Sequence, residues 1–353
     1  MKALVWMGKN DMRVVETSKP KIIDDHNAIV KITGTAICGS DVDIMHGVIV
    51  QMDKGDILGH DFCISCGECE FCKKKLTTAC ERTNASRLHE KLDGGQMGGI
   101  FGYSHFTGGY AGDQAEYVLL YLCDILPTSY HSVANARVKE GGTVAIWGLG
   151  PIGLMACVWA FPKGAKRVIA IDNNWRPDFA KSKIGRLETI NFSKLKSGET
   201  VPTKVHELVP SGVDVSIDAT GGEYGKGWAH KLELMVGLEQ DTSEIINECI
   251  YSTRKFGRVG IISDYVAFIN HFNVGALMEY GITLVGCGQS PVQRKLRDMV
   301  ENRKVDPAIM LTHRFEMDDV ANGYHMQERR EDGLMKCFVE TRFSAPRAEG
   351  HRS

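Results

Sequence analysis

Two textures of apolar patterning divide this chain. Over residues 1–120, short β-branched runs such as AIVKITGTAIC and AEYVLLYL are separated by glycine-rich turns, the longest being DGGQMGGIFGYSHFTGGYAGD. That pattern predicts an irregular, mostly β domain. From about 126 to 290 the apolar runs (TVAIWG, RVIAID, VDVSIDATGG, GRVGII, ITLVGCG) alternate with helical stretches such as PIGLMACVWAFPKG. Buried apolar strands alternating with helices predict an α/β fold with a doubly wound parallel sheet covered on both faces. The tail, from PVQRKLRDMVENRK through LTHRFEMDDVANGYH to MKCFVETRF, reads as helix, strand, helix and strand, and is expected to return to the first domain. The expected boundaries are therefore 1–125, 126–290 and 291–353.

The length of 353 residues suits two cores, and 43% apolar content can fill both. Lys and Arg (42) nearly balance Asp and Glu (44), so no global field draws nucleic acid or an anionic membrane. Small neutral or weakly charged partners are expected instead. No stretch approaches the ~20 apolar residues that cross a bilayer, and MKALVWMGKNDMRVV does not read as a secretory signal, which makes the cytoplasm the expected compartment. Eleven cysteines suit that compartment as thiols and metal ligands, and an odd count clustered in one loop argues against a disulfide framework. Cys63, Cys123, Cys157, Cys249, Cys287 and Cys337 read as small buried hydrophobes.

The cluster itself is CGECEFCKKKLTTAC, with Cys66, Cys69, Cys72 and Cys80 spaced C-x2-C-x2-C-x7-C. Four thiolates so close would repel one another, and a tetrahedral zinc with S–Zn distances of ~2.3 Å relieves that repulsion. An iron–sulfur cluster is the nearest competitor, but the bacterial ferredoxin run ends with a three-residue spacer and Pro. Here the last spacer is seven residues and Glu81 follows Cys80, so a structural zinc is expected.

A second signature opens the parallel-sheet domain. Gly148, Gly150 and Gly153 form GLGPIG directly after TVAIW, with Pro151 and Ile152 starting a helix. Bare glycine backbone admits a pyrophosphate, and the helix N-terminus offers free N–H groups and partial positive charge. Asp172 ends the second strand, 19 residues after Gly153, where a carboxylate can accept ribose hydroxyls and repel a 2′-phosphate. Asn173, Asn174 and Trp175 come next, without an immediate cation, so NAD is expected over NADP. Asp218 and Thr220, at the end of VDVSIDATGG, complete the candidate cofactor-binding set.

A zinc loop in a β domain beside an NAD fold resembles the zinc-containing alcohol dehydrogenases of the medium-chain dehydrogenase/reductase superfamily. The motifs are CGSD (Cys38 to Asp41), GHD (Gly59 to Asp61), the four-cysteine loop, GGYAGDQAEYV, GLGPIG and LTHRF, and they span nearly the whole chain. The resemblance implies a Rossmann domain, a GroES-like catalytic domain, and a catalytic zinc held by Cys38 and His60. DILPTSYH looks like the glutathione-independent formaldehyde dehydrogenase and dismutase branch, which implies Asp124 as the third ligand, with Cys123 as its rival. A carboxylate there leaves the metal a stronger Lewis acid than a thiolate does. The same branch implies that residues 223–249 form an insertion folding over the cofactor, with NAD tightly held. Ser40 matches a hydroxyl that passes the substrate proton outward, Asp43 stands where many relatives have a relay His, and Asp61 matches a Glu behind the zinc. For Ser40 and Asp41 a helix cap is the competing role.

The implied activity is hydride transfer between NAD and a small alcohol or hydrated aldehyde such as formaldehyde, in a homodimer or homotetramer, with ITLVGCG as a candidate edge strand. Two gaps interrupt the resemblance. Cys66 follows His60 by only six residues, and AEYV runs almost directly into YLCD. Each gap could hold two or three strands of ~5–6 residues, so the catalytic domain is expected to be incomplete. The alternatives are an NAD- and zinc-binding pseudoenzyme or truncated product, and a dehydrogenase acting on polyols or secondary alcohols.

Overall fold

Val144, Ala145, Ile146 and Trp147 are all buried, as are Val168, Ala170 and Ile171 one strand away. Strands this uniformly apolar are stable only when covered on both faces. In the computed structural model they lie inside a six-stranded parallel sheet. The structure describes all residues except 22–28, 50, 60–62, 117–124, 222–240, 264, 266–268, 289–293 and 346–353. The chain forms two units. One comprises Met1–Asp124, Pro291–Glu301 and Asp306–Ser353, and the other Ile125–Ser290 and Asn302–Val305.

The first unit begins with β1 (Lys2–Gly8), β2 (Asp11–Glu16), β3 (Gly34–Thr35) and α1 (Gly39–Met45), followed by α2 (Glu70–Lys73) and α3 (Arg87–Asp93). The second unit opens with α4 (Ile125–Asn135), β4 (Thr143–Trp147), α5 (Pro151–Ala160), β5 (Arg167–Asp172), α6 (Arg176–Lys183) and β6 (Glu188–Asn191). It continues with α7 (Val201–Leu208), β7 (Val213–Asp218), β8 (Asp241–Thr242), α8 (Glu244–Ser252), β9 (Thr253–Ile261), β10 (Ile269–Asn270), α9 (Val274–Glu279) and β11 (Thr283–Gly286). The tail supplies α10 (Arg294–Glu301), β12 (Leu311–Glu316), α11 (Val320–Arg329) and β13 (Lys336–Glu340).

The large sheet has the order β11-β9-β7-β4-β5-β6, all parallel, which puts the ITLVGCG strand β11 at one edge. Pro151 at the start of α5 costs no hydrogen bond, because the first turn of a helix has no partner for that N–H. Leu154, Met155, Cys157 and Trp159 of α5 are buried, each large apolar side chain contributing about 1.5–3 kcal/mol. Trp159 also donates its indole N–H to Ser129 Oγ on α4, at 3.1 Å, so its one polar atom is satisfied.

The segment 223–249, expected as an insertion over the cofactor, needs correction at its C-terminal end. Residues 222–240 lie outside the described residues, but α8 is a core helix. Ile245, Ile246, Cys249 and Ile250 are buried with Val213 and Val259 in the sheet's apolar cluster. The spacing of those four residues at i, i+1, i+4 and i+5 makes one apolar face, which has to be covered.

In the first unit, β1 pairs with β2, and β12-β13-β3 form a separate sheet, so the tail is bound to residues near the N-terminus. Elsewhere in this unit the described pairing is reduced to isolated bridges: Ala3 with Ala115, Val5 with Ile57, Cys63 with Ile100, Phe101 with Tyr110. Its core gathers Leu4, Ile37, Ile44, Leu58, Phe315 and Tyr324 from segments far apart in sequence.

Candidate functional site

The glycines of GLGPIG have three separate reasons to be glycine. Gly148 has φ +85°, and a Cβ on it would lie 2.5 Å from Ala219 O. A Cβ on Gly153 would collide with Gly148 O, so this glycine lets α5 pack against the turn. Gly150 caps α5, and a Cβ there would meet nothing within 4 Å. Open space at a helix N-terminus, between two positions closed by backbone, is the cradle that a pyrophosphate requires. Pro151 and Ile152 begin the helix behind it.

Asp172 ends β5, and both its oxygens accept backbone N–H groups. Oδ2 takes Leu149 N–H at 2.6 Å and Oδ1 takes Asn173 N–H at 2.7 Å. The carboxylate therefore holds the glycine loop itself. Arg176 Nη1 lies 3.6 Å from it, one helical turn on, a cation that inspection of residues 173–175 missed and that counting to i+4 would have found. Asp218 ends β7 fully buried. Its Oδ1 accepts from Thr220 N–H, Thr220 Oγ1 and Ser263 Oγ, and its Oδ2 from Tyr265 Oη. A carboxylate so fully engaged orders Thr220 and the exit of β9, and it offers little to a dinucleotide directly.

In the first unit, the sulfurs of Cys66, Cys69, Cys72 and Cys80 all lie within 4.8 Å of one another. Cys66 and Cys72 are 4.0 Å apart, against about 3.8 Å for a regular tetrahedron with ~2.3 Å bonds. The loop also aims backbone N–H groups at sulfur: Glu68 and Cys69 donate to Cys66, Cys72 to Cys69, and Cys66 to Cys80. Burial pushes the Cys80 thiol up, but N–H groups of Arg82 and Cys66 and the Thr83 hydroxyl outweigh it and bring it down to about 6. Burial, followed by the Cys69 sulfur, drives the Cys72 thiol up to about 12. Four sulfurs this close, in a loop that turns N–H groups toward them, form a set that a single divalent cation would hold as thiolates. The donor set and spacing fit zinc.

Cys38 is partly exposed at the N-cap of α1, and its N–H donates to Asp41 Oδ2 at 2.8 Å. Ser40 is on the first turn of the same helix, so Asp41, and not Ser40, is the capping side chain. His60, Asp61, Cys123 and Asp124 lie outside the described residues. The chain leading to His60 is described as far as Gly59, whose φ is +106° and where a Cβ would collide with Asp113 Oδ1. Three buried polar residues near Cys38 had little sequence signal: Gln114 lies inside the motif GGYAGDQAEYV, and Tyr324 and Lys336 lie in tail segments that read only as helix and strand.

Among the described residues every cysteine is a free thiol, and no helix is long and apolar enough to cross a membrane. No family model matches the chain. The chain is 35% identical over 391 aligned positions to a zinc-type alcohol dehydrogenase-like protein of Schizosaccharomyces pombe, covering 96% of this chain and 91% of the relative. It is 29% identical over 415 positions to the glutathione-independent formaldehyde dehydrogenase of Pseudomonas aeruginosa, covering 96% of each. Both alignments run longer than the chain's 353 residues, so these relatives carry positions with no counterpart here. Among solved structures, the alcohol dehydrogenase TADH from Thermus sp. ATN1 superposes with a TM-score of 0.77 at 23% identity, over 97% of this chain and 100% of that one, and so shares its fold.

Proposed function

The chain belongs to the zinc-type alcohol dehydrogenase-like family, and from that premise we propose that it is a zinc-dependent, NAD-linked oxidoreductase. Its reaction would move hydride between NAD and a small alcohol or hydrated aldehyde of the formaldehyde type. The observation that carries the reading is the glycine turn, closed at Gly148 and Gly153 and open at Gly150, beside the carboxylate of Asp172.

Each residue then has a task. Gly148, Gly150, Pro151, Ile152 and Gly153 cradle the pyrophosphate, Asp172 faces the ribose, and Asp218 orders Thr220 beside the cofactor. Cys38, His60 and Asp124 would hold the catalytic zinc, a thiolate, imidazole and carboxylate set that leaves a fourth position open. When bound, zinc supplies Lewis acidity to the substrate oxygen and NAD supplies the hydride acceptor. Ser40 carries the released proton outward, and Asp61 steadies the metal ligands. Cys66, Cys69, Cys72 and Cys80 hold a second zinc whose role is structural. Reduced thiols suit the cytoplasm, and the edge position of β11 suits a homodimer or homotetramer.

The length difference from the relatives supports one second reading, an NAD- and zinc-binding protein without catalysis. Metal analysis on protein as purified separates the two. Two zincs per chain, with NAD reduced in the presence of formaldehyde or ethanol, are expected. Asp124→Ala should leave one zinc and no hydride transfer. One zinc in the unaltered protein, with no turnover of formaldehyde, ethanol or a polyol, would sink the enzyme reading, whereas a preference for the polyol would move the substrate class.

A further inference from the structure

We propose that Gln114, locked by Tyr324, is the positioning residue that fixes Cys38 for the catalytic zinc, an inference that rests on the zinc assignment above. Three consecutive residues are each tied by a different buried side chain. Gln114 Nε2 donates to Ala36 O at 3.0 Å, Lys336 Nζ donates to Ile37 O at 2.6 Å, and Asp41 Oδ2 accepts Cys38 N–H at 2.8 Å. Gln114 Nε2 also reaches the same Asp41 oxygen at 3.2 Å, and Tyr324 Oη donates to Gln114 Oε1 at 2.6 Å. Tyr324 and Gln114 are completely buried, and Asp41 and Lys336 nearly so.

The chemistry dictates the orientation. Asp41, as a carboxylate, only accepts, so the amide nitrogen of Gln114 must face it and the amide oxygen is left for the phenol. Glutamate in that place would keep the acceptor for Tyr324, lose both donors and set a second carboxylate against Asp41. The backbone of Gln114 does further work, since its N–H donates to Leu58 O at 2.9 Å and its carbonyl accepts Leu4 N–H at 2.9 Å. Leu58 precedes His60 by two residues, so one residue joins the segment carrying Cys38 to the segment leading into His60. A buried polar chain is usually no more stabilising than apolar packing of the same shape, so what this one supplies is a single fixed geometry.

The test uses full-length protein carrying Tyr324→Phe, Gln114→Met or Gln114→Glu, each loaded with zinc and separately with cobalt(II). The unaltered protein is expected to hold two ions per chain. In the variants the more weakly held ion should bind roughly 10- to 100-fold less tightly, as for other groups that orient metal ligands. Its cobalt absorption should change, while the four-cysteine ion and NAD affinity stay as they were. Retention of the four-cysteine ion, which lies in the same unit as Gln114 and Tyr324, together with an unchanged melting transition shows that a variant has folded, and Tyr324→Phe removes only one oxygen from a packed ring. Unaltered ion affinity and cobalt spectrum in all the folded variants would overturn the positioning role alone. If the unaltered protein holds only the four-cysteine ion, the zinc assignment fails and takes this role with it.

Discussion

Gly150 and Gly153 stand three residues apart and should answer substitution in opposite ways. Gly153→Ala drives a Cβ into the carbonyl of Gly148, and overpacking of this kind costs about 1–3 kcal/mol, measurable by denaturant unfolding without any ligand. Gly150→Trp meets open space, so the fold should melt as before, but the side chain fills the pyrophosphate cradle and NAD binding should be lost by calorimetry. A variant at Gly150 that still binds NAD at full strength would reject the cradle. Arg176 allows a finer experiment. Its guanidinium offsets part of the negative charge of Asp172, so Arg176→Ala should widen the preference for NAD over NADP, read as a ratio of kcat/KM values. The glycines were legible in the sequence because their spacing and context are restrictive. The engagement of Asp218 by Ser263 and Tyr265 was not, because those partners lie 45 and 47 residues away and nothing local announces them.

At the scale of elements, the edge strand β6 is held to its neighbour by a two-bond fork, with Arg167 Nε and Nη2 each 2.7 Å from the carboxylate of Glu188. The hydrogen bond from Arg167, opposed by partial burial, holds Glu188 below the ordinary glutamate value of 4.5. A depressed carboxylate stabilises the fold fully above its unfolded value and loses that contribution as pH falls through its folded value. Glu188→Gln should therefore lower the melting temperature at pH 7, and the gap to the unaltered protein should close on acidification below about 4.5. A gap that persists at the acid end would show that packing, not ionisation, is what the substitution removed. The strands β4 and β5 were legible as nearly continuous apolar runs, and β7 as the alternating run VDVSID. The expected insertion 223–249 gives way only at its C-terminal end, where Ile245, Ile246, Cys249 and Ile250 trace the apolar face of a core helix. Between β3 and α4 the first unit was legible only as irregular. The described pairing there runs through single bridges such as Cys63 with Ile100, which leave no run of alternation to read.

Across the whole molecule, each ligand should mark its own unit. NAD at about 100 times its Kd adds about 2.7 kcal/mol to whatever binds it, so hydrogen exchange should slow around Gly148–Asp172. Chelation should speed exchange around Cys66–Cys80 and leave NAD protection in place. Uniform protection of the chain by NAD, with no effect of chelation on the cysteine loop, would contradict both assignments. The return of the tail to β3 was foreseeable from the order of helix and strand in the sequence. The ties from Tyr324 to Gln114 and from Lys336 to Ile37 were not, since they span 210 and 299 residues.

Those long spans have a consequence for how such a chain can shrink. The anchors around Cys38 are knotted to one another by side chains and not by the path of the polypeptide between them. Halving or doubling an intervening loop changes closure entropy by only about 0.6 kcal/mol. Flexible loop between the anchors can thus be trimmed at small cost in closure entropy, provided the knots themselves are left untouched.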